Sequence, residues 1–271
     1  MKNFQQRTVR IRTKNPSSNP LRKAILVPFL ALCRLGSRTP TSEVFPRAMH
    51  KVIECNTVEA VENSRDKLRM KARFFTIPEF KQATWYHGRF DVNTIKEHFH
   101  INKNEDYKLV GKAICGFQGK GMVLIENDEQ LVEFCRTHTP QYFFIELFYN
   151  YGREYRLHAT QNEVFLSWRK LRTNDAKERW FFNSHNCHWV GEGNQLFNKP
   201  SNWNQLCDAA VSAMRATTLD IGACDIRVSS TDTTQFIVCE INSAPALGEE
   251  GIEAYREQIR KVLINKYNNE K

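Results

Sequence analysis

Residues 225–245 read DIRVSSTDTTQFIVCEINSAP, two apolar runs around a polar turn at 229–234. That pattern predicts an antiparallel β-hairpin. Side chains two apart in a strand share a face. Glu240 and Asn242 therefore point one way, while Ile237, Cys239 and Ile241 point into a core. Asp225 and Arg227 form a second same-face pair on the partner strand. Closing the hairpin brings Asp225, Glu240 and Asn242 together. Two carboxylates and an amide oxygen suit Mg²⁺, which keeps positions open for phosphate oxygens. The same alternation also describes an exposed strand with ordinary polar residues. The rest of the chain has to decide.

A second stretch, residues 108–127, reads KLVGKAICGFQGKGMVLIEN. Two apolar strands, 109–115 and 122–126, enclose Gly116, Gly119 and Gly121, with Gln118 and Lys120 between them. Glycines permit positive φ and let backbone N–H groups approach phosphate oxygens. No Gly-Lys-Ser/Thr opens a helix, so this is not a Walker loop, and a strand follows where a dinucleotide-binding turn would have a helix. A hairpin folding over a triphosphate fits, with Lys112 in the preceding strand supplying charge. A plain flexible hairpin has the same composition.

Other segments place the remaining candidates. The run 24–35 reads as one buried strand leading into Gly36-Ser37-Arg38, and 51–53 as a second short strand. From Val58 a helix starts, and Ser64 is expected to cap a second segment carrying Asp66 in its first turn and Lys67 after it. Residues 128–137 read as a helix and 141–147 as a strand holding Glu146. Strand 153–159 alternates Glu154 and Arg156; strand 163–172 ends with Arg169, Lys170 and Arg172. Asn183 and a glycine loop at 191–193 follow, then helices at 203–217 and 252–266.

The formal charge of +9 suggests a nucleic-acid partner until it is located. Residues 1–50 hold ten Lys or Arg and one acid, and the remaining 221 residues are neutral. Residues 1–20 are therefore expected to be a basic, disordered arm, through which any nucleic-acid contact would run. No apolar run approaches the roughly 20 residues of a spanning helix, so no membrane partner is expected. Eight cysteines without C-x-x-C spacing, and no secretory signal, point to reduced thiols in a cytoplasmic protein. His185, Cys187 and His188 lack the further ligands of a structural zinc site.

The order of these parts resembles the ATP-grasp superfamily over roughly residues 56–265. The parts are SRDKLR at 64–69, Lys112, GFQGKG at 116–121, Glu146, Glu154-x-Arg156, the Arg strand, then Asp225 and Glu240-x-Asn242. SRDKLR and EINSAPAL…GIE look most like the branch of the ribosomal-protein glutamate ligase (RimK-like). The resemblance implies two α+β lobes sandwiching ATP behind a short α/β domain. The division would be 1–20 arm, 21–62 truncated N-terminal domain, 63–140 first lobe and 141–271 second lobe.

It also implies roles. Lys67 and Lys112 would contact the phosphates, with Lys112 reaching towards the adenine. Gln118, Gly119, Lys120 and Gly121 would cover the triphosphate. Glu146 and the Phe148 backbone would lie at the adenine, and Glu154 at the ribose. Arg169 and Asn183 would steady the γ-phosphate and acyl-phosphate. Asp225, Glu240 and Asn242 would hold two Mg²⁺ ions, or Mn²⁺. Arg227, on the face of Asp225, is the candidate for the oxyanion or carboxylate; a surface Arg paired with an acid has the same pattern. Three departures stand out. The N-terminal domain is short, Asn-Ser-Ala-Pro replaces the commoner Asn-Ala-Ser-Pro, and the hairpin turn carries extra polar residues.

The activity implied is carboxylate–amine ligation by Mg-ATP through an acyl-phosphate. The carboxylate could belong to a protein or peptide, and the amine to an amino acid. The alternatives are an ATP-grasp kinase acting on a hydroxyl, or a degenerate nucleotide fold that binds nucleic acid or protein through the basic N-terminus.

Overall fold

Buried and exposed residues alternate from Val9 onward, at the start of the segment expected to be a disordered arm. The computed structural model describes residues 6–23, 25–103, 105–116, 119–176, 180–182 and 186–270. Within it, β1 (Arg7–Thr8) pairs antiparallel with β3 (Leu26–Val27), and β2 (Arg10–Thr13) pairs parallel with β4 (Ala31–Leu35). Val9 and Ile11 are buried while Arg10 and Arg12 are exposed. From Gln6 the arm is thus part of a folded unit. Its period-2 pattern outweighs its charge, because only one face needs to be apolar.

β5 (Ile53–Cys55) completes a three-stranded parallel sheet in the order β2-β4-β5. The single strand expected over 24–35 is two, broken around Pro28, whose missing N–H cannot join a ladder; Ala24 lies outside the described residues. After a short helix α1 (Thr41–Val44) the chain enters α2 (Val58–Arg65) and α3 (Lys67–Phe74). Asp66, not Ser64, caps α3, accepting from the Leu68 and Arg69 N–H groups at 3.0 Å each. A carboxylate there also meets the positive end of the helix. Ser64 lies inside α2 and donates to the Val61 carbonyl.

The next unit is an antiparallel sheet in the order β6-β9-β7-β8. Its strands are β6 (Trp85–Tyr86), β7 (Leu109–Ala113), β8 (Met122–Ile125) and β9 (Phe143–Leu147), with helices α4 (Val92–His98) and α5 (Asp128–Thr137). Ile95, Leu109, Ile125, Leu131, Phe134 and Ile145 form the core between sheet and helices. By alternation, Lys112 and Glu146 occupy the other face.

The largest sheet runs β12-β11-β10-β13-β14, all antiparallel. Its strands are β10 (Tyr151–Thr160), β11 (Val164–Arg172), β12 (Cys187–Gly191), β13 (Ile221–Ser229) and β14 (Phe236–Asn242). Helix α6 (Trp203–Ala216) covers one face, over Tyr155, Leu157, Cys224, Ile226 and Val238. Helix α7 (Glu249–Asn269) ties the opposite face to the N-terminal sheet through Ile221, Tyr255 and Ile259.

The expected hairpin forms, with Asp225 opposite Glu240 and Ala223 opposite Asn242. A bulge then shifts the register to Ile226↔Val238, leaving Cys239 as the extra residue. Phe236, Val238 and Ile241 therefore enter the α6 core. Ile237 falls opposite Arg227, and neither it nor Cys239 joins that core as alternation had suggested. β14 also fastens the two larger units together. The Val238 N–H donates to the Lys81 carbonyl at 2.7 Å, and the Ile241 N–H meets the Met70 sulfur at 3.3 Å. No helix among the described residues is long and apolar enough to cross a membrane.

Candidate active site

Two charged faces are held by this framework, one on each of the larger sheets. On the smaller sheet, Lys112 of β7 and Glu146 of β9 are diagonal neighbours on one face, opposite Phe144 and Val110 respectively, and Lys112 Nζ donates to Glu146 Oε1 at 2.9 Å. Lys71 of α3 reaches the same carboxylate, its Nζ 2.9 Å from Oε2. Burial alone would raise the Glu146 pKa; the two ammonium groups override it and bring it down to about 2. Glu146 is thus an ionised carboxylate locked between two cations.

The Gly-rich turn lies beyond the end of β7. Gly119 and Gly121 adopt φ of 74° and 73°, the left-handed region that glycine enters freely. A side chain at Gly119 would meet Phe181, with its Cβ 2.4 Å from the ring. Lys67 supports this turn from below: its N–H bonds the Ile114 carbonyl at 3.1 Å and its Nζ the Gly116 carbonyl at 2.7 Å. Lys120 is exposed on the turn. Gln118 lies outside the described residues.

On the larger sheet a buried ion-pair network crosses three strands. Arg156 of β10 holds Asp225 of β13 with both nitrogens, Nε to Oδ1 and Nη2 to Oδ2, each at 2.7 Å. Lys170 of β11 donates to Asp225 Oδ2 at 3.1 Å and to Glu154. Arg227 completes the set through Nε to Glu154 Oε2 at 2.8 Å. Burial would push the two carboxylates up, but the surrounding cations hold both below the usual carboxylate range. The network carries three cations against two anions. Arg156 lies 4.7 Å from the Trp189 ring, and Arg227 4.1 Å from that of Tyr151. Such stacking on aromatic faces favours guanidinium over ammonium.

Glu240 and Asn242 border this network on β14, and the Asn242 amide donates to Glu240 Oε1 at 3.3 Å. That bond turns the Asn242 amide oxygen free for another partner. Asp225 already receives three N–H donors, so about one lone pair is left to it. Among the described residues no three of His, Cys, Asp and Glu gather as a metal set. The donors nonetheless fit Mg²⁺, a cation that takes one or two carboxylates and completes its shell with phosphate oxygens and water. Mn²⁺ accepts the same oxygen donors.

The structure alters several sequence expectations. Arg169 pairs with Tyr155 in register and so lies on the α6 face, where its Nη1 bonds the Leu196 carbonyl at 2.7 Å. It points away from Asp225. Adjacent residues in a strand face opposite ways, and it is Lys170 that enters the network. Glu154, expected at a ribose, has both oxygens taken by Lys170 and Arg227. The Phe148 N–H is committed to the Lys108 carbonyl at 3.0 Å. Phe148 lines a cavity of about 420 Å³ with Tyr107, His100 and Leu147, a group without Lys112 or Glu146. Asn183 lies outside the described residues. Asp225 lies opposite Glu240, with Asn242 two residues further along β14, while Arg227 falls opposite Ile237 and joins the network through Glu154.

Sequence reasoning missed Lys71, Lys170 and Trp189. Counting two residues from Glu154 finds Arg156, but Lys170 needs the β10–β11 register. Lys71 was one lysine among several in a charged helix.

No family model and no curated protein matches the chain in sequence. Solved structures do. Biotin carboxylase from Campylobacter jejuni, determined with β,γ-ATP, superposes with a TM-score of 0.61 at 16% identity, over 86% of this chain and 54% of that one. An N5-carboxyaminoimidazole synthase from Aspergillus clavatus, complexed with ADP and its aminoimidazole ribonucleotide, gives 0.60 at 11%, over 90% and 60%. D-alanine–D-alanine ligase from Bacillus anthracis with ATP gives 0.63 at 11%, over 95% and 86%. The chain thus spans about half the length of the first of these and most of the last.

Proposed function

On the ATP-grasp fold that the chain shares with these enzymes, we propose that it is an ATP-dependent carboxylate–amine ligase. The observation that carries this reading is the meeting of Glu240 and Asn242 with the Arg156–Asp225–Lys170 network on one sheet, together with a Lys-bearing Gly-rich hairpin on the other. One face supplies oxygen donors for a cation and the other supplies cations for phosphates.

In this reading Lys112 and Lys67, with the N–H groups around Gly119 and Gly121, hold the triphosphate, and Lys120 closes over it. Glu240, Asn242 and the remaining lone pair of Asp225 would hold Mg²⁺, which would supply charge neutralisation at the phosphates. A carboxylate oxygen attacks the γ-phosphorus in line, the bond to the bridging oxygen breaks, and ADP leaves. The amine then attacks the acyl carbon, phosphate departs, and the amine proton passes to solvent. Catalysis is positioning and charge neutralisation. Arg227 and Arg156 are buried and fixed by their carboxylates, so their spare N–H donors are preorganised for the carboxylate or the oxyanion. The RimK-like branch, a protein or peptide carboxylate with an amino-acid amine, and a reducing, cytoplasmic setting belong to the same reading; the eight cysteines are free thiols.

The test is phosphate and ADP release with Mg-ATP against pools of amino acids and short acidic peptides, with Glu240→Ala alongside. Turnover that needs both a carboxylate and an amine and disappears in the variant supports the ligase. Turnover with a hydroxyl acceptor and no amine makes it a kinase. Absence of Mg-ATP binding ends the reading.

A further inference from the structure

Lys71 has no part in the chemistry just described, yet it is among the most completely buried side chains of the molecule, 2% exposed. It sits on α3 between Met70 and Phe74, both in the apolar core. Burying an ammonium costs several kcal/mol unless its partners compensate, and a methionine would fill similar space. Among the described residues its one salt-bridge partner is Glu146 Oε2, 2.9 Å away, and none gives Lys71 Nζ a well-aligned hydrogen bond. On the other side of that carboxylate, Lys112 Nζ bonds Oε1 at 2.9 Å and its side chain is 10% exposed, so the trio opens to solvent at Lys112.

One lysine facing one carboxylate makes a neutral pair. Two lysines sharing it leave one positive charge. We infer that Lys71 is a positioning residue: it takes up half of Glu146, so that Lys112 keeps an uncompensated charge and two free N–H donors for a phosphate group. Lys71 touches no ligand itself and acts through Glu146. This rests on the reading that Lys112 faces nucleotide phosphate, and it adds a residue whose charge, not its bulk, sets nucleotide affinity.

The experiment is a four-protein cycle of wild type, Lys71→Met, Glu146→Gln and the double variant. ADP dissociation constants with Mg²⁺ are measured by calorimetry, and folding is checked by thermal midpoint. In the wild-type background Lys71→Met is expected to weaken ADP about tenfold, because Glu146 then neutralises Lys112 alone. In the Glu146→Gln background the same change is expected to cost less than about threefold, since no carboxylate remains to compete. For turnover, Lys71→Met is expected to raise the KM for ATP while kcat stays within about threefold. An unchanged ADP affinity, or the same loss in both backgrounds, overturns the inference while leaving the ligase reading intact. If Lys71→Met does not fold, the double variant against Glu146→Gln decides: a loss of tenfold there makes the role independent of Glu146. Failure of wild type to bind ADP or ATP overturns both.

Discussion

Arg156 and Asp225 face each other across β10 and β13, joined by two hydrogen bonds of 2.7 Å on a face from which water is almost excluded. Removing one partner strands the other as a buried charge. Asp225→Ala is expected to lower stability by about 3–5 kcal/mol in chemical denaturation, whereas Arg156→Met with Asp225→Leu is expected to lose much less. A loss below about 1 kcal/mol in the single variant would show that the pair does not hold the sheet.

Arg169 and Lys170 are adjacent in sequence and opposed in space. Arg169→Gln is expected to leave kcat/KM within about threefold, while Lys170→Gln lowers it about 100-fold or more, the usual cost of removing one preorganised charge. Steady-state kinetics below both melting temperatures make the comparison. The reverse order would put the γ-phosphate on the α6 face.

Gly119 combines a φ of 74° with a Cβ position 2.4 Å from the Phe181 ring. Gly119→Ala must leave that conformation or displace the ring, at a cost of about 1 kcal/mol or more. Nucleotide affinity is expected to fall about tenfold with the melting temperature lowered by only about 2–4 °C. Gly193→Ala, where a Cβ meets nothing within 4 Å, is the matched control and should bind as wild type.

His158 is buried among Tyr255 of α7, Trp168 and Phe165 of β11, and the charges of Arg156 and Asp225 on its own sheet. The Tyr255 hydroxyl donates to the Gly222 carbonyl, so His158 Nδ1 must carry the proton it shares with that hydroxyl, at 3.0 Å. Burial first, then Arg156, lowers its pKa from 6.5 to about 3. The folded protein therefore binds fewer protons than the unfolded chain between those values, and stability falls as pH drops through that window. Between pH 6.5 and 5 the expected loss is about 1.5 kcal/mol. His158→Gln should flatten this part of the profile. Glu146, whose window lies between 4.5 and about 2, does not contribute between pH 6.5 and 5. An unchanged profile in the variant refutes the assignment.

Period and spacing carried a good deal. The β13–β14 hairpin, α5, the Lys112 strand and the Glu154–Arg156 alternation are local patterns, and local patterns survive in the fold because each strand or helix must present one apolar face. Composition misled at the N-terminus, where RTVRIRT alternates as a strand behind its charge. Periodicity misled at Ile237, because a bulge adds one residue and reverses every side chain beyond it.

The sequence by itself determined which residue types were on offer: the acids and amide of the hairpin, the glycines of the turn, and the lysines and arginines able to meet phosphate. Tertiary structure alone decided which of them face one another. Lys170 rather than Arg169 enters the network because the register between β10 and β11 fixes the side chain's direction. Lys71 reaches Glu146 because α3 packs along β14, which brings its side chain to the face of β9 that carries Glu146. Charges 75 residues apart in sequence acquire their partners only when sheets close over them, since burial is what makes an ion pair specific.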